Sequence, residues 1–270
     1  MSSILEQITE QTKEDLKKRK RKVSLRDFES FSAYEKRTLS FSDALRKDGT
    51  VSVIAEVKKA SPSKGVIRHD FNPLKIAEQY AENGASAISV LTDKPFFKGS
   101  LEYLDNISGK IDIPLLRKDF IVDPYQVKEA KAHGADAVLL IATICEGNQL
   151  SELLAAVKDF GLQALVECYH ATELEDLNWE QVEIVGVNNR NLATFEVDLH
   201  RGVDLLQQAP EHVIRVSESG IHHPEDLLVL AENNIHSALI GEYFMKQPDT
   251  GAALRKFLDD FATLKSSVEH

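Results

Sequence analysis

From residue 50 onward the chain alternates short apolar runs with amphipathic stretches, and this alternation limits the possible folds more than any other feature. The apolar runs are Ser52–Val57, Ala87–Leu91, Ile113–Arg117, Ala137–Ile141, Gln163–Glu167, Ile184–Val187, Val213–Val216 and Ser237–Ile240. Runs this short and this continuously apolar read as strands buried on both faces, the pattern of a parallel sheet. Helical patterns follow, for example Pro73–Asn83, Tyr125–His133, Leu150–Phe160 and Pro224–Asn233. Several carry Pro near the first turn, where a missing N–H costs nothing. An open doubly wound sheet more often has five or six strands, so these eight strand–helix units predict a closed (β/α)8 TIM barrel. A local repeat agrees: Gly84-Ala-Ser-Ala-Ile-Ser-Val-Leu91 resembles Gly134-Ala-Asp-Ala-Val-Leu-Leu-Ile141. Each reads as a left-handed helix cap entering a buried strand, and Asn234 stands in the same place before the eighth.

At 270 residues the chain suits one such barrel. A 43% hydrophobic content supplies a core, and 13 Gly and 8 Pro are too few for a disordered chain. The net charge of -11 argues against nucleic acid as a partner, because phosphate neutralisation needs surplus Lys and Arg. Cys145 and Cys168 lie in or beside apolar runs without metal-like spacing, as expected of reduced thiols in a cytoplasmic protein. No run of 18 apolar residues and no signal-peptide pattern occurs, so neither a membrane span nor export is expected.

Residues 1–48 differ from the rest and read as an N-terminal helical extension packing on the mouth of a barrel over 49–265. Ile4, Leu5, Ile8 and Leu16 fall near helical spacing, with Lys13 and the basic run Lys17–Lys22 on the polar side. Such a run reads first as a solvated face. RNA binding would need interleaved aromatics, which are absent. Laid across the barrel mouth, the same charges would favour anionic ligands. Phe28, Phe31, Tyr34 and Phe41 look like the anchors that dock the extension.

Barrels of this kind do chemistry at the C-terminal ends of their strands. The first strand runs into Ile54-Ala-Glu-Val-Lys-Lys-Ala-Ser-Pro-Ser-Lys-Gly65, with Glu56 and Lys58 two residues apart and thus on one face. The third strand carries Lys118, the fifth Glu167, the sixth Asn188 with Arg190 beyond, and the seventh Glu218 and Ser219. One such charge at a strand end means little in solvent; five distributed over four strands mark a catalytic rim. The loops after strands seven and eight bring Gly220 and Gly241, which let backbone amides approach a ligand closely. Each glycine alone is explained by its turn. The pair, with Ser219, Arg190 and Ser61 nearby, predicts a phosphorylated small-molecule substrate. His222 and His223 invite a metal reading, but adjacent residues rarely share a metal, and none is expected.

Seven segments carry a family resemblance: Ile54–Gly65, Leu91–Ser100, Pro114–Gln126, Gly134–Ile141, Leu165–Glu167, Gly186–Leu199 and Ser217–Ile221. Together they resemble indole-3-glycerol phosphate synthase, in order and over nearly the whole chain from residue 50, and the extension resembles that family's additional N-terminal helices. Two departures stand out. Cys168-Tyr169 follows the fifth-strand Glu, where the family implies an aliphatic residue and often His, and Tyr243-Phe244 follows Gly241-Glu242, where smaller residues are common; both would reshape the rim near the phosphate.

The resemblance implies decarboxylating ring closure of 1-(2-carboxyphenylamino)-1-deoxyribulose 5-phosphate to indole-3-glycerol phosphate, carbon dioxide and water, in tryptophan biosynthesis. That chemistry needs two acid steps and one base step. Lys118 and Lys58 are the general acids it implies, in either order, and Glu167 the base. Glu56 would position Lys118 or relay protons, and Glu218 completes the acidic rim. Phe97, Phe120, Leu139 and Leu192 with Pro62 would form a slot for the aromatic ring, although plain core packing also explains the two Phe and two Leu. Asn188 and Ser61 would meet the substrate's hydroxyl or carboxylate oxygens. No cofactor is implied, because the ring nitrogen serves as electron sink. A monomer is expected, with association with other tryptophan-pathway enzymes an open question. Two other readings stay in view: a Schiff-base sugar-phosphate aldolase using Lys118, and a non-catalytic barrel scaffold.

Overall fold

Eight parallel strands pair in chain order, and the last closes on the first. They are β1 Ser52–Val57, β2 Ala87–Leu91, β3 Leu115–Lys118, β4 Ala137–Ile141, β5 Gln163–Cys168, β6 Ile184–Asn188, β7 Ile214–Glu218 and β8 Ser237–Ile240. With helices wrapped around them, this is a (β/α)8 TIM barrel. The computed structural model describes residues 3–47, 49–191 and 194–268.

Four strands match their expected limits, and the other four run one or two residues further at the C-terminal end. The ladder continues through the polar residues there. Lys118 pairs in register with Leu91, and Glu218 with both Asn188 and Leu239. The charged side chains are therefore fixed by sheet backbone rather than carried on turns. β3 begins after Pro114, which has no N–H to give the ladder.

Helices start and stop on local signals. Asn72 and Asp123 accept backbone N–H groups at the heads of Pro73–Glu82 and Pro124–Ala132, each with Pro in its first turn. Gly84, Gly134 and Asn234 all adopt positive φ, at 103°, 80° and 53°, as the repeat predicted.

Side chains alternate along each strand. Val53, Ala55 and Val57 face the helices in the outer core, while Ile54, Leu116, Leu139, Leu165, Ile184, Val216 and Leu239 fill the barrel interior. Phe41 and Leu45, fully buried, belong to that interior cluster. They plug the barrel at its N-terminal end, where Gln163, the first residue of β5, accepts the backbone N–H groups of Phe41 and Ser42.

The chain opens with the helix Ile4–Lys22, capped by a reciprocal Ser3–Glu6 pair. Phe28, Phe31 and Tyr34 join Leu16 against Val122, Tyr125 and Ala132 on the barrel's flank. Three of the four aromatic anchors thus dock outside, and Phe41 inside. Lys13, Lys17 and Lys18 pair with acids of their own helix in solvent, whereas Arg19 and Lys20 reach Glu129 and Asp123 of the barrel.

Candidate active site

The strand ends converge on one cavity of about 1170 Å³, counted to its open mouth. Lys118 stands at its centre. Its Nζ donates to Glu167 Oε2 at 3.1 Å and to Glu218 Oε2 at 3.0 Å. Asn188 Nδ2 donates to the other Glu167 oxygen at 3.3 Å, which leaves that carboxylate oriented from both sides. Glu56 pairs at 2.5 Å with Lys58, not with Lys118, so the two lysines are held by separate carboxylates.

Electrostatics set the charge states. Burial pulls the Lys118 ammonium down, but Glu218, Glu167 and Glu56 outweigh it and raise its pKa overall. Burial dominates at Glu218, and with the like charge of Glu167 beside it the carboxyl rises well above the usual range despite Lys118. Glu218 Oε1 is buried without a hydrogen-bond partner. It sits directly over Gly186, where a Cβ would approach it to 2.3 Å. Gly241 does the same for Glu56, whose Oε1 lies 2.3 Å from where its Cβ would be. Both glycines clear space for the carboxylates of the cavity.

One side of the cavity is built from loops. Ser219 and Gly220 take consecutive positive φ values of 69° and 77°, so the backbone after β7 makes a left-handed turn at the cavity. Asn189 holds that turn by donating to the Ser219 carbonyl and to Ser217 Oγ, both at 2.9 Å. Arg190 reaches the same side, its guanidinium 3.3 Å from Glu242. Glu242 is shared with Lys246 at 2.5 Å.

The opposite side is apolar. Phe97 and Phe120 lie with ring centroids 6.1 Å apart, and Leu139 and Leu91 complete the wall with Pro62 at the edge. Ser61, on a two-stranded ribbon of Ala60–Ser61 with Gly65–Val66, adds a hydroxyl at the rim. All the residues expected at the site line this cavity except Leu192, which lies outside the described residues.

Sequence reasoning missed several lining residues. Ile4, Leu5 and Ile8 of the first helix reach the cavity directly, although helical spacing identified them only as an apolar face. Glu242 also lines it, beside Tyr243, the departure from the family pattern expected at the rim. Its position just after Gly241 was the available signal. The other departure, Tyr169, is stacked under the Arg201 guanidinium, 4.2 Å from its ring centroid. Arg201 also bonds the carbonyls of Tyr169 and Asn188, tying the ends of β5 and β6 together. Cys168 is buried, and burial with Glu173 and Glu167 nearby pushes its thiol upward, so it offers no nucleophile.

The model of the family described as indole-3-glycerol phosphate synthase matches residues 5–257. This chain belongs to the indole-3-glycerol phosphate synthase family. Among its relatives, the indole-3-glycerol phosphate synthase of Salinibacter ruber is 49% identical over 256 residues, covering 94% of each chain. That of Campylobacter jejuni subsp. jejuni is 46% identical, covering 94% of this chain and 100% of its own. Solved structures of tryptophan synthase from Pyrococcus furiosus, including its alpha-subunit, align with TM-scores of 0.57 and 0.59 over 81% of this chain and 99% of theirs. At 13% and 15% identity, that likeness concerns the barrel alone.

Proposed function

We propose that this protein is an indole-3-glycerol phosphate synthase, a decarboxylating lyase of tryptophan biosynthesis that closes the indole ring of 1-(2-carboxyphenylamino)-1-deoxyribulose 5-phosphate. The observation that carries the reading is the Lys118 ammonium held between Glu167 and Glu218, at the centre of a cavity with one apolar and one glycine-loop side. The substrate has matching ends. Its carboxyphenyl ring lies in the slot of Phe97, Phe120, Leu139 and Pro62, and its phosphate against Ser219, Gly220, Gly241 and Arg190. Pinning both ends folds a flexible chain into near-attack geometry, an effect worth up to roughly 7–11 kcal/mol.

Lys118 protonates the ketone as the ring carbon attacks it. Carbon dioxide leaves from the cationic intermediate. Lys58, oriented by Glu56, protonates the departing hydroxyl, and Glu167, oriented by Asn188, removes the last ring proton. Ser61 and Asn188 contact substrate oxygens. A lysine whose ammonium is stabilised by three carboxylates is a poor amine nucleophile, which disfavours a Schiff-base aldolase. The free thiols Cys145 and Cys168 support a cytoplasmic setting. We further propose that the enzyme is a monomer, with residues 1–48 serving as an extension of the 49–265 catalytic barrel. Sedimentation with and without other enzymes of the pathway tests the monomer and any association.

The deciding experiment mixes purified protein with the substrate and follows indole fluorescence with and without a chelator. A chelator-insensitive rise supports the reading. A folded protein giving no rise refutes it.

A further inference from the structure

Arg117 precedes Lys118 on β3 and points the opposite way, into the layer between barrel and helices, where its side chain is fully buried. A buried guanidinium is costly unless its donors are met. Here Nη2 pairs with Asp119 at 2.8 Å and Glu129 at 3.0 Å, Nη1 donates to the Gln126 carbonyl at 2.8 Å, and Nε to Thr92 Oγ1 at 3.2 Å. Glu129 also takes Arg19 at 2.6 Å, so two cations and two carboxylates balance in one cluster.

The partners of Arg117 lead to three parts of the apolar wall. Asp119 accepts the Phe120 N–H at 2.9 Å, while Gln126 Nε2 donates to the Phe120 carbonyl at 3.0 Å. Thr92 donates to Asp119 at 2.6 Å, and the next residue, Asp93, accepts the N–H groups of Phe96 and Phe97 at 2.9 and 3.1 Å. Glu129 holds Arg19, on the helix whose first two turns bring Ile4, Leu5 and Ile8 to the cavity. The opposite side rests on other supports, Asn189 for Ser219 and Glu242 for Arg190.

We propose that Arg19 is a positioning residue for the aromatic end of the substrate, holding the N-terminal helix, through Glu129 and the buried Arg117, in register with the Phe97 and Phe120 turns. This rests on the synthase reading and adds a division of labour to it. The Arg117 cluster sets affinity for the carboxyphenyl ring and leaves phosphate affinity alone.

Arg117→Met leaves Asp119 and Glu129 buried with unmet charge and is liable to unfold, so the test is made on the outer arm. In Arg19→Ala, Glu129 keeps Arg117 as its partner and the barrel stays intact. Steady-state kinetics with the carboxyphenylamino-deoxyribulose phosphate are compared with competitive inhibition by inorganic phosphate. The expected result is a KM raised by about five- to twentyfold, an inhibition constant for phosphate unchanged within about twofold, and Arg19→Lys recovering most of the loss. An unchanged KM, a fall in kcat alone, or equal weakening of substrate and phosphate would overturn the proposal. Turnover by the unaltered chain, measured in the same series, reports separately on the synthase reading. Its absence sinks that reading and this one with it, whereas normal turnover with an indifferent Arg19→Ala sinks only this one.

Discussion

Lys118 Nζ and Glu218 Oε2 lie 3.0 Å apart in the barrel's interior, where burial acts most strongly on both and each partner's charge opposes its effect on the other. In the proposed mechanism Lys118 is the general acid for the substrate ketone, and the carboxylates around it keep it charged before substrate binds. Replacing Lys118 by Met removes the acid and leaves Glu167 and Glu218 without their shared cation. The expected outcome is a kcat lowered by about 10²- to 10⁴-fold with a much smaller change in KM, read from the initial rate of indole fluorescence. A variant turning over at the normal rate would exclude Lys118 from the chemistry.

Asp93 offers a test of stability against pH. Burial raises its carboxyl from 3.8 to about 6, with Asp119 adding to the rise and the Phe96 and Phe97 N–H groups opposing it. The folded state therefore binds the proton more tightly than the unfolded chain. The stability contributed by Asp93 is fullest below about pH 4 and is lost as pH rises through 6, by at most about 3 kcal/mol. Asp93→Asn keeps an oxygen for both N–H groups and has no charge to bury. Denaturant midpoints should show the variant gaining on the parent between pH 4 and 7.5, and a difference independent of pH would count against the raised carboxyl.

The strand-end charges were readable from sequence because two simple periodicities place them. Alternation along a strand puts Glu56 and Lys58 on one face, and the eightfold strand–helix repeat puts Lys118, Glu167, Asn188 and Glu218 at equivalent ends. Their partners were not readable. Gly241 looks like an ordinary turn glycine until Glu56 is found against it, across the seam where β8 meets β1. Arg117 enters the sequence pattern only as the last residue of a strand. Its partner Glu129 lies on the following helix, and Arg19 comes from the far end of the chain. Phe41 carried an aromatic anchor's signature, yet nothing in its spacing distinguishes docking on a flank from entry into the barrel. Such contacts arise from closure of the barrel, and no local pattern encodes them.

Arg190 and Glu242 face each other at 3.3 Å where the proposed binding mode places the phosphate, so an arriving phosphate would compete with a carboxylate. Arg190→Ala should weaken inorganic phosphate as an inhibitor by about 10- to 100-fold, the usual worth of charge-assisted hydrogen bonds. Affinity for an unphosphorylated analogue should hold. Glu242→Gln frees the guanidinium and removes a repelling charge, and should tighten phosphate by a few-fold. Loss of affinity for both kinds of ligand in Arg190→Ala would remove Arg190 from the phosphate site.

Phe41 and Leu45 test how the extension joins the barrel. The helix Ile4–Lys22 docks on the flank and can be removed without opening the interior, whereas Phe41 is fully buried among Ile54, Leu116 and Leu165. Deleting residues 1–22 should leave a cooperatively folding barrel with impaired turnover, because Ile4, Leu5 and Ile8 leave the cavity. Deleting residues 1–45 also strips the plug and should abolish cooperative unfolding. Phe41→Ala, which changes nothing at the cavity, should cost about 3–5 kcal/mol in urea denaturation while KM stays near normal in the folded fraction. If the 1–45 deletion unfolds as cooperatively as the 1–22 deletion, Phe41 and Leu45 are passengers in the barrel, and its interior is complete without them.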